Sequence, residues 1–128
     1  MRVLLDTHAV LWWFAGDERL PERARVVIDD EANVVHLSAA SAWEIATKVR
    51  IGKLPHAERL AANLTRWIAD QGFTPLPVTV EHGQRAGSLT GSHADPFDRM
   101  LIAQAQIEQL TLVSNETLFD AYGITRIW

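Results

Sequence analysis

An α/β fold, with a mainly parallel sheet covered by helices on both faces, is what this sequence predicts. Three observations carry the expectation. Short apolar segments alternate with longer ones of helical periodicity. The short segments are apolar at successive positions, as strands covered on both faces are. The elements run β-α-α-β-α-α-β-α-α-β-α-β, so at least one helix intervenes between every two successive strands, the connection parallel strands need.

Each element has its own signature. Residues 3–5 (Val-Leu-Leu) form a short buried strand. Residues 7–15 form a helix that ends near Gly16. Residues 21–32 are amphipathic, with Ala24, Val27, Ile28 and Ala32 at helical spacing. Residues 34–37 are apolar and largely β-branched, a second strand. Residues 39–50 make a helix stopped by Gly52. Residues 56–71 predict one longer helix, with Leu60, Ala61, Leu64, Trp67 and Ile68 on one face and Gly72 at its end. Residues 73–78, interrupted by Pro75 and Pro77, suit a loop feeding an edge strand. Residues 80–89 are a short helix and 90–94 a polar loop. Residues 96–109 are a helix burying Met100, Leu101, Ala103 and Ile107, with Leu110 following. Residues 111–114 form a strand, 116–121 a short helix ending at Gly123, and 124–128 a last strand.

Composition narrows the chemistry. A length of 128 residues suits one domain, 1–128, and 48% hydrophobic residues suffice for a core. No apolar run approaches the ~20 residues of a membrane span. The start, Met1 to Asp6, is too briefly apolar for a secretion signal, so a cytoplasmic location is expected. The absence of cysteine excludes disulfides, Cys-based zinc sites, iron–sulfur clusters and a thiol nucleophile. The five histidines form no H-x-x-x-H pair and no cluster. Oxygen ligands remain, supplied by 16 Asp and Glu. With 12 Lys and Arg the net charge is −4, whereas proteins that hold nucleic acid by phosphate contacts alone are usually basic. Action on nucleic acid would therefore need a bound metal for local positive charge.

Four carboxylates stand out by position. Asp6 follows the first strand, Glu44 lies in the helix after the second, Asp98 sits in the first turn of helix 96–109, and Glu116 follows the strand 111–114. Ligands of open parallel sheets bind outside the carboxyl ends of the strands. Acids that converge there repel one another, and a hard divalent cation with oxygen ligands relieves that cost. Such a site suits phosphodiester hydrolysis. Each acid also has a local reading. Asp6 can cap the helix after it. Ser41-Ala42-Trp43-Glu44 matches a capping box, and Glu44 can pair with Lys48. Asp95-Pro96-Phe97-Asp98 matches an N-cap, a proline at the first helical position and an acid favouring the dipole. Asn115-Glu116 can be read in the same way.

The motifs add a resemblance. Leu4-Leu5-Asp6-Thr7-His8, residues 37–46 (LSAASAWEIA), residues 93–105 (HADPFDRMLIAQA) and residues 112–119 (LVSNETLF) together resemble the PIN-domain family, in particular the toxin nucleases of VapBC-type toxin–antitoxin pairs. The resemblance spans Met1 to Trp128. It implies a three-layer α/β/α sandwich with about five strands, and a Mg²⁺- or Mn²⁺-dependent endoribonuclease. It further implies an RNA substrate, a VapB-like antitoxin partner, and dimers or larger assemblies. Asp6, Glu44 and Asp98 fall on the family's first three acids. Glu116 falls where the family more often has Asp. The catalytic set expected is thus Asp6, Glu44, Asp98 and Glu116, with Asp6 and Asp98 holding the metal, Glu44 ligating it or positioning water, and Glu116 completing the shell. Asp95 is read mainly as a cap, and Thr7 and Ser114 as residues that orient a carboxylate.

Other residues admit two readings. Lys48, Arg50 and Lys53 are either phosphate contacts or a solvated helix end, the latter favoured for Arg50. Arg99 is a local salt-bridge partner of Asp98 or a site residue. His93 is a proton donor at the pocket mouth or polar surface. Trp12, Trp13 and Phe14 are consecutive, so one of them faces a partner chain or an antitoxin, or lies under the 73–77 loop. Trp43 and Trp67 are expected in the core. Rival functions are an acidic-pocket phosphoesterase, a DNA-directed nuclease, and a catalytically inactive binding module. A receiver-like signalling domain fails, because Ser38 and Ser114-Asn115 stand where its phosphoacceptor Asp and Lys would be.

Overall fold

The computed structural model describes residues Met1–Trp128. Its elements are β1 (Arg2–Leu5), α1 (Thr7–Ala15), α2 (Glu22–Asp29), β2 (Val34–Ser38), α3 (Ala39–Arg50), α4 (Glu58–Ala62), α5 (Leu64–Gln71), β3 (Thr74–Leu76), α6 (Val80–Ser88), α7 (Pro96–Glu108), β4 (Thr111–Val113), a 3-10 helix (Thr117–Tyr122) and β5 (Arg126–Ile127). The five strands form one parallel sheet in the order β3-β2-β1-β4-β5. β3, with Pro75 inside it and Pro77 directly after it, lies on an edge, where a missing backbone donor costs least.

Successive strand residues supply the two faces of the sheet, because side chains alternate along a strand. Val3, Leu5, Val35, Leu37 and Val113 pack with Ala9, Val10, Ile28, Ile45, Leu60, Leu64 and Ile68 of α1–α5. Leu4 and Leu112 point the other way, onto Leu101, Ile102 and Ala105 of α7 and onto Phe119. The result is a three-layer α/β/α sandwich. One polar residue crosses the α7 layer. Gln104 is fully buried, accepts a bond from Ser38 Oγ at 2.5 Å, and donates to the Pro77 carbonyl at 3.2 Å. It ties β2 and the chain after β3 to α7. No helix is long and apolar enough to cross a membrane.

Several local expectations are corrected. The helix expected over 56–71 is two helices, because Asn63 leaves the helical region at φ −148°, ψ 41°. Its short amide competes with the helix for backbone groups. Leu60, Leu64 and Ile68 still reach one core from the two pieces. The helix over 21–32 stops at Asp29, leaving Ala32 exposed. Trp43 is 67% exposed and Trp67 38%, so neither is a core residue. Trp43 instead sets its ring edge-on to Phe97, 5.1 Å away. Met100 and Ile107 are half-buried, and Ile102 and Ala105 fill the places closest to the sheet. Trp12, Trp13 and Phe14 are each half-buried: Trp13 and Phe14 pack on Phe73, as one reading expected, and Trp12 packs on Trp128.

Candidate active site

The strand order locates the crevice. From β1 the chain steps outward to β2 and β3, then returns to β4 and β5 on the other side of β1. The loops leaving β1 and β4 therefore diverge, and a cleft opens at the carboxyl ends of these two strands. Asp6 is the residue after β1 and Ser114 the residue after β4. Asp6 N donates to the Val113 carbonyl at 3.1 Å, which seats the acid at the mouth of the cleft.

Asp6 has both of the roles its sequence position allowed. Its Oδ1 accepts from Ala9 N at 2.7 Å and so caps α1. It is nevertheless buried, with 5% exposure. Burial, helped by the negative charge of Asp98, pushes its carboxyl up to about 6. The Ser114 hydroxyl, the Ala9 amide and the charge of His8 pull it partly back. Ser114 is itself fully buried and accepts from Glu116 N at 3.0 Å, which fixes its hydroxyl beside Asp6.

Glu44 is not half of a capping box. The residue that caps α3 is Ser38, whose Oγ accepts from Ala40 N, and Ser41 lies inside the helix. Glu44 is therefore free to reach across the cleft. Thr7 Oγ1 donates to its Oε1 at 2.6 Å, and Lys48 Nζ donates to its Oε2 at 2.5 Å. The Ser41 hydroxyl lies 3.0 Å from Thr7 Oγ1. Both oxygens of a buried carboxylate are thus held, one by the residue next to Asp6. Lys48 lies on the site rather than in a solvated helix end. Arg50 is exposed, in keeping with that reading of it.

Asp98 comes from α7, on the opposite side of the cleft. Its pKa is raised, first by burial and further by the charges of Asp95 and Glu44, against a hydrogen bond from His93. His93 Nε2 lies 2.8 Å from Asp98 Oδ2, and the imidazole is largely buried beside Phe119, 5.8 Å between ring centres. The loop that carries His93 is held by Arg99. This guanidinium donates to the carbonyls of Ala86 (3.1 Å), His93 (2.8 Å) and Leu89. It pairs with no carboxylate, so the salt-bridge reading fails. Gly91 in the same loop sits at φ 102°, and a Cβ there would come 2.8 Å from the Tyr122 hydroxyl. Only glycine suits both demands.

The structure thus brings Asp98 within electrostatic reach of both other acids, its charge acting on Asp6 and that of Glu44 acting on it, while Thr7 ties Glu44 to the residue next to Asp6. Glu116 is turned differently. Its carboxylate caps the 3-10 helix by accepting from Leu118 N at 3.1 Å, and its charge is felt by Arg126. No three Asp, Glu or His side chains close on one point as tightly as a full set of metal ligands. Asp95 accepts from the amides of Phe97 (2.8 Å) and Asp98 (3.2 Å), and is the cap of α7. Sequence reasoning gave too little weight to His93 and to Arg99. The signal available was their position flanking Asp95 to Asp98.

The capping role of Asp95 has a direct consequence. Asp95→Ala should cost about 1 kcal/mol of stability, and Asp95→Ser should restore most of it. Urea midpoints of the two variants check this. A loss as large in the Ser variant would mean that Asp95 serves something other than the helix end.

Fold and site together define an α/β/α protein with an acidic cleft at the switch point of a parallel sheet. A PIN-domain family model matches residues 3–124, and the chain belongs to the PIN-domain family. Among curated proteins it is similar to ribonuclease VapC16 of Mycobacterium tuberculosis, 43% identical over 58 residues. That stretch is 45% of this chain and 41% of the relative, so the match spans less than half the length of either. Among solved structures, VapBC2 from Rickettsia felis, crystallised with a promoter DNA fragment, matches with a TM-score of 0.71 at 16% identity, covering 99% of this chain and 98% of that one. VapBC-1 from nontypeable Haemophilus influenzae matches with a TM-score of 0.70 at 12% identity, covering 99% and 97%. FitAcB from Neisseria gonorrhoeae matches with a TM-score of 0.60 at 20% identity, covering 100% and 97%. At these identities the solved structures speak for the fold.

Proposed function

We propose that this chain is a metal-dependent endoribonuclease, the toxin of a type II toxin–antitoxin pair restrained by a VapB-like antitoxin. The observation that carries the reading is the trio Asp6, Glu44 and Asp98, drawn from three separate segments into one cleft at the sheet's switch point. The identity shared with a protein named as a ribonuclease supports RNA as the substrate.

The donor chemistry fits Mg²⁺ or Mn²⁺. The cleft offers carboxylate oxygens, and Asp6 and Asp98 are both pushed toward the neutral form, each first by burial and then by nearby acids, Asp98 acting on Asp6 and Asp95 and Glu44 acting on Asp98. A hard cation is what such a pair lacks. Asp6 and Asp98 would hold it. Glu44, already paired with Lys48 and Thr7, would position the attacking water or add a ligand. Glu116, whose carboxylate is engaged at the end of the 3-10 helix, would reach the ion only through water. When bound, the ion would activate water and neutralise charge on the phosphate. The residues of the chain do the remaining work. Thr7 and Lys48 fix the orientation of Glu44, Ser114 that of Asp6, and His93 occupies one oxygen of Asp98 and leaves the other without a side-chain partner.

The purified chain, freed of any partner, should cut RNA with Mg²⁺ or Mn²⁺ and stop on addition of EDTA. Asp98→Asn should lower the rate at least ~100-fold. Glu116→Gln should lower it less than ~10-fold, since the amide oxygen still caps Leu118 N. Gel assays on the two variants check the order. Equal loss in both would place Glu116 with the other three acids, and full activity in EDTA would defeat the metal reading. Offering RNA, DNA and small phosphate esters together tests the substrate class.

A further inference from the structure

A groove of about 580 Å³ lies between α1 and the segment 53–60, which runs into the start of α4. Its nearest link to the cleft is His8, which lines the groove, follows Asp6 by two residues and acts on it by its charge. One wall is a stack of flat groups. His8 lies parallel to Trp12, 5.4 Å between ring centres and 19° between planes, and the Arg19 guanidinium sits 5.0 Å from the Trp12 ring centre. His8 is exposed at the end of this stack. The other wall carries Lys53 and Arg59, exposed and paired with no carboxylate. The one acid that lines the groove, Asp17, is held by Arg19 at 2.7 Å. On a chain of net charge −4, the groove therefore gathers free positive charge opposite a stacking surface.

We propose that this groove is a subsite for a single RNA strand, which leads the strand into the acidic cleft. A base extends the stack at His8, and the neighbouring phosphates meet Lys53 and Arg59. Stacking groups on one side and cations on the other are the means by which single strands are held without sequence readout. The volume falls within the ~300–1,000 Å³ of small-ligand sites and does not admit a double helix. The acids themselves repel phosphate, so an approach lined with cations supplies attraction where the cleft supplies none. This inference rests on the ribonuclease reading and adds to it where the substrate lies. An apolar groove with cations also suits an acidic peptide. The stacked rings facing unpaired cations favour the RNA strand.

The test uses the full chain and a fluorescein-labelled unstructured RNA of about a dozen nucleotides, a length near the site sizes of single-strand binders. Anisotropy is read in EDTA, which prevents cutting, between roughly 50 and 200 mM KCl. The variant Lys53→Ala/Arg59→Ala should bind about tenfold more weakly near 0.1 M salt. Its slope of log K against log salt should flatten by about 1.4, the effect of two lost single-strand phosphate contacts. Both side chains are exposed, and matching thermal melts establish that the variant is folded. Unchanged affinity and slope overturn the subsite, even if the wild type cuts RNA and the ribonuclease reading stands. A wild type that neither binds nor cuts RNA overturns both. A synthetic Glu/Leu peptide that needs Lys53 and Arg59 while RNA binding ignores them overturns the RNA assignment and gives the groove to a protein partner.

Discussion

Asp6→Asn should abolish RNA cleavage and at the same time make the metal-free protein more stable at neutral pH. The loss of activity follows from removing a charged oxygen ligand. A deficit of about 4 kcal/mol in transition-state stabilisation is roughly a 10³-fold slower reaction. The gain in stability follows from the carboxyl being raised from 3.8 to about 6 by burial. Below pH 3.8 the group is protonated in both the folded and the unfolded chain, and folding pays no ionisation penalty. Between 3.8 and 6 the unfolded chain releases the proton that the fold retains, so stability falls as pH rises. Above 6 the loss is complete, at about 3 kcal/mol for a shift of this size. Asparagine carries no such penalty and can still accept from Ala9 N, so a net gain of about 1–2 kcal/mol is expected at pH 7.5. Urea midpoints of wild type and variant in EDTA, taken from pH 4 to 8, check this. The difference should shrink toward pH 4. A variant that is less stable at pH 7.5, or a difference independent of pH, would contradict the buried, uncompensated carboxylate. Millimolar Mg²⁺ should then stabilise the wild type and leave the variant unmoved, by mass action on the folded state.

Arg99→Ala should be the most damaging single change outside the acids. The guanidinium serves the carbonyls of Ala86, Leu89 and His93, so its removal leaves three backbone acceptors to find new partners. At about 1 kcal/mol for each bond, the expected loss of stability is about 2–4 kcal/mol. The loop it holds carries His93 against Asp98, so cleavage should also fall, by about 10–100-fold, as a small displacement of a positioned group requires. Arg99→Lys should recover only part of both losses, because an ammonium cannot present a planar fork to three acceptors. Denaturant midpoints and rates at saturating RNA check the two effects separately. Full recovery by lysine would mean that charge alone, and not the fork, holds the loop.

Much of the architecture was legible in the chain itself. α1 and α3 fall where periodicity placed them, over Thr7–Ala15 and Ala39–Arg50, because each apolar face is local. The edge position of β3 followed from Pro75 and Pro77. The misplacements have a common cause. Trp43 and Trp67 were assigned to the core on residue type, yet each points from a helix toward solvent or a neighbouring ring. The break at Asn63 was hidden by apolar residues that keep their spacing across it.

The sequence by itself determined the alternation of strands and helices, the absence of thiol donors, and which acids sit near strand ends. These depend on residue type and on spacing within a turn or two of the chain. Only the tertiary structure decided what each acid faces. Ser41-x-x-Glu44 is a credible capping box in isolation, but Ser38 caps α3, and Glu44 bonds instead to Thr7, on α1. Arg99, next to Asp98 in sequence, holds a loop by its carbonyls. Glu116, grouped with the other acids by its position after a strand, turns to its own helix end. A side chain three residues from a cap, or one residue from an acid, has a local partner and a distant one within reach. The choice between them is made by desolvation and packing around the sheet, which local spacing does not encode.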